Sequence, residues 1–168
     1  MPASPTTTPN LGLPRFASDA SSSIWTLLTS IVDAVDALWG PWVAYTPVWS
    51  QSGGTILNVG SGTLVGRYRR QGKTVFAQIR LQRAADSDVG SSYWLFTLPP
   101  VTPYDWNMTG GGFAMIRGSA HCGGAVFPAS STTVGAIAGD QGRVSNAVPT
   151  GTHTTGDWYS LQIVYEAA

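Results

Sequence analysis

Charge is scarce in this sequence. Only 11% of its 168 residues are Asp, Glu, Lys or Arg, nine of each sign, for a formal net charge of zero. Glu166 and Lys73 are the sole Glu and Lys. Water-facing helices draw on Glu and Lys with Ala and Leu, so an all-α fold is excluded. Nucleic-acid binders carry a basic excess; none exists here, and no nucleic-acid partner is expected. Low net charge also leaves little repulsion between copies, which suits a chain that lives in an assembly. Cysteine is nearly missing as well. Cys122 stands alone, so no intrachain disulfide forms and a stapled secreted scaffold is ruled out. Long apolar runs are absent. The longest, Ile24 to Trp39, has 16 residues and contains Asp33 and Asp36, too short and too charged to span a bilayer. No basic segment precedes it, as a signal peptide requires. The expectation is a soluble protein made in the cytoplasm, with no membrane insertion.

What is plentiful points to β structure. The chain holds Gly 20, Pro 11, Ser 17 and Thr 18, together more than a third of the residues. Trp 7, Tyr 6 and Phe 5 supply core material and argue against disorder in the body of the chain. Short strands between Gly/Pro/Ser/Thr turns are the expected result.

Three segments follow from the patterning. Residues 1–23 (MPASPTTTPNLGLPRFASDASSS) are polar, Pro-rich and without period, an extended arm. Its apolar anchors are Leu11, Leu13 and Phe16. Residues 24–41 form one amphipathic helix, with Ser21, Ser22 or Ser23 as N-cap and Gly40-Pro41 as the stop. Ile24, Leu27, Ile31, Ala34 and Leu38 recur at 3-4-3-4 spacing, an a/d seam over about two heptads. Leu28 and Val35 widen the stripe, and Asp33 and Asp36 mark the expected wet side. The segment reads either as a helix packed on its own domain or as a short coiled coil between subunits. The second is preferred, because the helix precedes the β body instead of interrupting it. Ile at a with Leu at d leans to two strands.

From Trp42 to residue 168 the period changes to two, and the expected class is mainly β: an antiparallel β-sandwich or jelly roll. Strands are expected near 43–50, 55–59, 63–70, 73–83, 93–98, 112–117, 125–127, 134–138 and 158–166. In 73–83, Val75, Ala77, Ile79 and Leu81 face one way, and Thr74, Gln78, Arg80 and Gln82 the other. Gln71-Gly72 signals a hairpin. Gly110-Gly111-Gly112 and Gly123-Gly124 read as turns or bulges.

Reactive chemistry is thinly represented. His121, Cys122 and His153 lack metal-site spacing, so no metal and no cofactor is expected. Gly60-Ser61-Gly62 is not a nucleophile elbow. Asp86 and Asp88 lie in a loop-like stretch without the opposed geometry of a glycosidase pair. Catalytic residues are therefore expected to be none, and the chain is not expected to be an enzyme. Arg67, Arg69, Arg70 and Lys73 form a basic cluster; it could meet an anionic surface, but a charged edge strand or an inter-subunit salt-bridge row is the preferred reading. Trp94 belongs to a strand core. Tyr104 and Trp106 fall in a Pro-rich loop and are the candidate surface contacts for a ligand, since aromatic faces suit saccharide rings.

The stretch WVAYTPVWSQSGG followed by NVGSGTLVGRYRRQGKTVFAQIRL resembles a module of structural proteins from tailed phages of actinobacteria, the minor tail or fibre proteins. Trp42, Tyr45, Thr46, Pro47 and Trp49 carry the resemblance, then Gly62, Thr63, Leu64, Gly66, Tyr68, Arg70, Gly72 and Lys73. Leu98-Pro99 and Tyr165-Glu166 close it, so it covers about residues 42–168. It implies a β-sandwich head, commonly trimeric, on the outside of a virion and without catalysis. The sequence departs from that pattern in having a 23-residue arm and one helix where a long fibre would have a shaft. The expectation is a small accessory spike or a capsid decoration, a homotrimer anchored by its arm to the major capsid protein or a tail protein. The head either reinforces the particle or contacts host cell-surface glycan.

Overall fold

The computed structural model describes residues 23–38, 40–117, 120–139, 142–145 and 155–168. Leu11, Leu13, Phe16 and His153 lie outside the described residues. One helix, α1 (Ser23–Leu38), precedes nine strands: β1 (Val43–Tyr45), β2 (Trp49–Gln51), β3 (Thr63–Gln71), β4 (Thr74–Gln82), β5 (Trp94–Thr97), β6 (Gly110–Arg117), β7 (Ala120–Pro128), β8 (Thr133–Ala138) and β9 (Trp158–Glu166). A single 3₁₀ turn, η1 (Trp106–Met108), leads into β6. The fold is mainly β and antiparallel, the class expected from the composition.

The strands form one continuous sheet in the order β1-β3-β4-β9-β6-β7-β8-β5-β2, with every pairing antiparallel. Its two edges, β1 and β2, are neighbours in sequence, separated only by Thr46-Pro47-Val48. Nine strands laid flat would hold those edges about 38 Å apart. Tyr45 to Trp49 reaches no further than about 14 Å. The sheet must therefore curl until its edges meet. The Tyr45 hydroxyl accordingly reaches the Thr97 carbonyl of β5 (3.4 Å), and the Val48 N–H donates to Thr97 Oγ1 (2.8 Å). The sequence pattern presents 43–50 as one strand. Pro47, which has no N–H to give a ladder, divides it into two short strands on opposite edges.

Curling places the alternating apolar residues inside. Val75, Ala77, Ile79 and Leu81 of β4 are buried, as are Tyr159, Leu161, Ile163 and Tyr165 of β9. Two aromatic clusters fill the interior. Trp94 of β5 packs edge-on against Trp49 (5.0 Å) and against Tyr159 of β9 (5.1 Å). β5 and β9 are four steps apart in the sheet, so this contact crosses the interior. Toward the other end, Tyr45 meets Tyr68 edge-on at 5.9 Å. Burial, with Tyr165 nearby, pushes the Tyr45 phenol well above its ordinary value of 10.0; burial also raises Tyr165, helped by Tyr68.

Three expectations about local structure change. Residues 55–59 form no strand, only the isolated bridge of Ile56 to Ser50. Gly110-Gly111-Gly112 and Gly123-Gly124 are not turns; they lie within β6 and β7. A Cβ on Gly111 would collide with the Gln162 carbonyl oxygen, and one on Gly124 with that of Ile137, so these glycines permit close backbone approach. The third concerns α1. Asp36, expected on the wet side, is buried at 3% exposure, and Asp33 is half-buried. The apolar stripe faces solvent instead, with Ile31 57%, Leu38 54%, Val35 40% and Leu28 37% exposed. Among the described residues the curled sheet builds its core without this helix, and the stripe is left exposed.

Candidate functional site

Two regions carry the chemistry-bearing side chains that the fold leaves outside: the loop before β6, and the outer face of β3, β4 and β9. The loop runs from Leu98 to Thr109. It is tied down by backbone bonds to the C-terminal strand, Tyr104 N–H to the Glu166 carbonyl (2.8 Å) and Ala168 N–H to the Thr102 carbonyl (3.0 Å). Asp105 caps η1, its carboxylate accepting from the Asn107 N–H at 2.9 Å. This geometry presents Tyr104 at 70% exposure and Trp106 at 37%. Lys73 lies 5.9 Å from the Tyr104 ring and 3.9 Å from the Glu166 carboxylate. The loop expected to display Tyr104 and Trp106 does so, while Trp94 belongs to the core.

The second region is built by strand register. The β3–β4 hairpin closes at Gln71↔Thr74, with Gly72 at φ +56° in the turn. That sets Arg67 opposite Gln78 and Val65 opposite Arg80. β4 continues into β9, with Gln78 opposite Gln162 and Arg80 opposite Ser160. Since Val75, Ala77, Ile79 and Leu81 point inward, Phe76, Gln78 and Arg80 point outward. Arg67 and Arg69 share this outer face and Tyr68 points in, as the alternation predicts. β3 is not a charged edge strand, however, because β1 pairs with Gly66–Tyr68.

Aromatic rings hold the guanidiniums along this face. Arg67 and Arg69 lie 4.7 and 5.2 Å from the Trp42 ring, and Arg69 also lies 5.4 Å from Phe76. Arg80 stacks 5.0 Å from Trp158. Arg67 Nε donates to Gln78 Oε1 at 2.8 Å. Between them opens a depression of about 490 Å³ lined by Ala44, Val65, Arg67, Gln78, Arg80 and Ser160. The basic cluster is visible in the sequence; strand pairing adds Arg80, Trp42 and Trp158 to it. The hairpin arithmetic was the available signal, because a two-residue turn at Gly72-Lys73 fixes which residues lie opposite.

The remaining candidates separate. His121 is exposed and Cys122 half-buried against the core, the opposite orientations that strand neighbours must have. Among the described residues, no three of His, Cys, Asp and Glu gather where they could share a metal ion. Asp86 accepts from the Ser61 N–H (2.9 Å) and hydroxyl (2.8 Å), which holds its carboxyl below the ordinary value. Asp88 accepts from the Asn58 N–H at 2.9 Å. Both carboxylates thus brace one loop against another. Of the helix seam, Ile31 and Leu38 are exposed, and the side chains of Ile24 and Leu27 lie outside the described residues.

Comparison with protein-family models, with curated proteins and with solved structures gave no significant match.

Proposed function

We propose that this chain is a phage virion surface structural protein without catalytic activity: a homotrimeric accessory spike or fibre, or a capsid decoration protein, held on the particle by its N-terminal arm. The observation that carries the reading is the exposed apolar stripe of α1 beside a sheet whose own core is complete. Ile31 and Leu38 of the seam face water, with Leu28 and Val35 beside them; like helices meeting would cover them, and the a/d spacing of Ile24, Leu27, Ile31, Ala34 and Leu38 is that of a self-associating helix. The trimer comes from the resemblance of residues 42–168 to phage minor tail and fibre modules; the heptad rule by itself leans to two strands. A chain of zero net charge suits a crowded assembly. The arm, with Leu11, Leu13 and Phe16, supplies the contact to the major capsid protein or a tail protein. Ordering it costs about 1–2 kcal/mol per residue, which a large docking surface offsets.

Deleting residues 2–20 tests the assignment. The truncated chain should remain a folded oligomer and should no longer join the particle. Incorporation at normal copy number would move attachment to the helix or head.

A second reading is favoured by the exposure of Tyr104 and Trp106 on a braced loop: a receptor-recognising tip that stacks host cell-surface glycan. Trp106→Ala would then abolish adsorption to the host while leaving assembly intact; unchanged adsorption would remove this reading.

A further inference from the structure

We propose that the outer face of β3, β4 and β9 binds a carboxylated glycan, a chain of uronate-type sugars, in the depression between Arg67 and Arg80. This surface is separate from the Tyr104–Trp106 loop, and the proposal does not depend on how the chain assembles.

Charge comes first. The segment from Thr63 to Arg83 holds Arg67, Arg69, Arg70, Lys73, Arg80 and Arg83 and no acidic residue. Six of the nine cations of a chain with zero net charge are thus gathered on one hairpin and its end. Arg83 is buried, whereas Arg67 and Arg80 are exposed on the outer face. Lys73 is paired with Glu166, which leaves Arg67 and Arg80 as the cations lining the depression, and their positive field attracts an anion.

Geometry comes next. Arg67 and Arg80 are diagonal neighbours on the two strands, a spacing of about 7–8 Å. Each guanidinium rests against an indole, Trp42 or Trp158. Both are therefore held with their donors pre-oriented, and the fork of an arginine matches a carboxylate in two parallel hydrogen bonds. The volume, about 490 Å³, lies within the roughly 300–1,000 Å³ of small-ligand clefts.

The lining decides the kind of anion. Val65, 56% exposed, and Ala44 give an apolar patch suited to the C–H face of a sugar ring. Gln78 and Ser160 line the same depression and offer both donors and acceptors, as hydroxyl groups require. Phosphodiester polymers without rings would leave the apolar patch unused. Nucleic acid offers bases that stack on open aromatic faces, but Trp42 and Trp158 here lie under guanidiniums.

The test is binding of the full chain to polygalacturonate at low ionic strength, with dextran, poly(glycerol phosphate) and single-stranded DNA as comparison probes. The proposal expects polygalacturonate to bind with affinity falling as salt rises, ahead of all three others. Arg67→Gln and Arg80→Gln should each weaken binding roughly tenfold, with the melting temperature retained. Arg143→Gln, which removes a cation stacked on Tyr93 and Phe127 elsewhere, should change nothing. Arg80→Gln is the decisive single variant, because its side chain is exposed. Equal binding of dextran, tighter binding of DNA or poly(glycerol phosphate), no binding of polygalacturonate, or wild-type affinity in Arg80→Gln would each overturn the proposal.

Discussion

The curled sheet and the helix treat their apolar residues in opposite ways. In the sheet, Val75, Leu81, Tyr159 and Leu161 are fully buried at 0% exposure, and their partners all come from the same chain. Among the described side chains of α1 the acidic Asp36 is buried, while Ile31 and Leu38 are more than half exposed. Both segments have clear apolar periodicity. The difference shows what periodicity reports: that a face is to be covered, not by what. The sheet supplies its own cover because its edges are joined by three residues and it has to close. The helix leaves its stripe uncovered by the described residues.

That comparison can be broken most forcefully from the sheet side. Trp94 bridges Trp49 and Tyr159 across the interior, and its indole N–H donates to the Val89 carbonyl at 2.8 Å. Trp94→Ala should cost about 3–5 kcal/mol, read as a lowered denaturant midpoint. A loss under 1 kcal/mol would mean that the two halves of the sheet do not support each other through this contact. Next in size is Gly124→Ala. Its Cβ would meet the Ile137 carbonyl of β8, and forced displacement of packed backbone costs about 1–3 kcal/mol. Chemical denaturation matching that of the wild type would show that β7 and β8 are not this close.

A gentler perturbation is pH. Tyr45 and Tyr165 have phenols raised above 10.0 in the folded state by burial. The unfolded chain loses those protons first, so it binds fewer protons than the native state above pH 10. Stability is therefore retained in full below about pH 10 and falls as pH rises beyond it, toward the raised folded values. Tyr165 donates to the Val101 carbonyl at 2.9 Å, so Tyr165→Phe should lower stability at neutral pH and flatten the alkaline loss. An unfolding curve as steep above pH 10 in Tyr165→Phe/Tyr45→Phe as in the wild type would assign the loss to other groups.

Much of this architecture is legible in the sequence. The alternation in 73–83 and 158–166 identified the inward residues of β4 and β9, because a period of two against one core leaves only one solution. Tyr104 and Trp106 were legible as surface residues from their Pro-rich loop. The glycine runs have the composition of turns or bulges, and sequence does not show that carbonyls of Gln162 and Ile137 approach Gly111 and Gly124 from neighbouring strands. The orientation of α1 is hidden from the sequence for a related reason. Two Asp residues on a helix are ordinarily its wet face, and only the structure shows the sheet closing without the stripe. The basic face was half legible: Arg67 and Arg69 were evident, but Arg80 joins them through strand pairing with the hairpin and Trp42 through pairing with the edge.

The central claim is that the stripe of α1 is covered by further copies of the chain. Burial of each Leu or Ile contributes about 1.5–3 kcal/mol, and an acidic side chain in the seam removes that gain and adds a charge that resists burial. Sedimentation equilibrium of the wild type and of Ile31→Asp at micromolar concentration measures this directly. The account predicts a wild type of three chain masses, a variant shifted toward one, and the same denaturant midpoint for the head in both when measured at low protein concentration. A wild type that sediments at the mass of a single chain would contradict it.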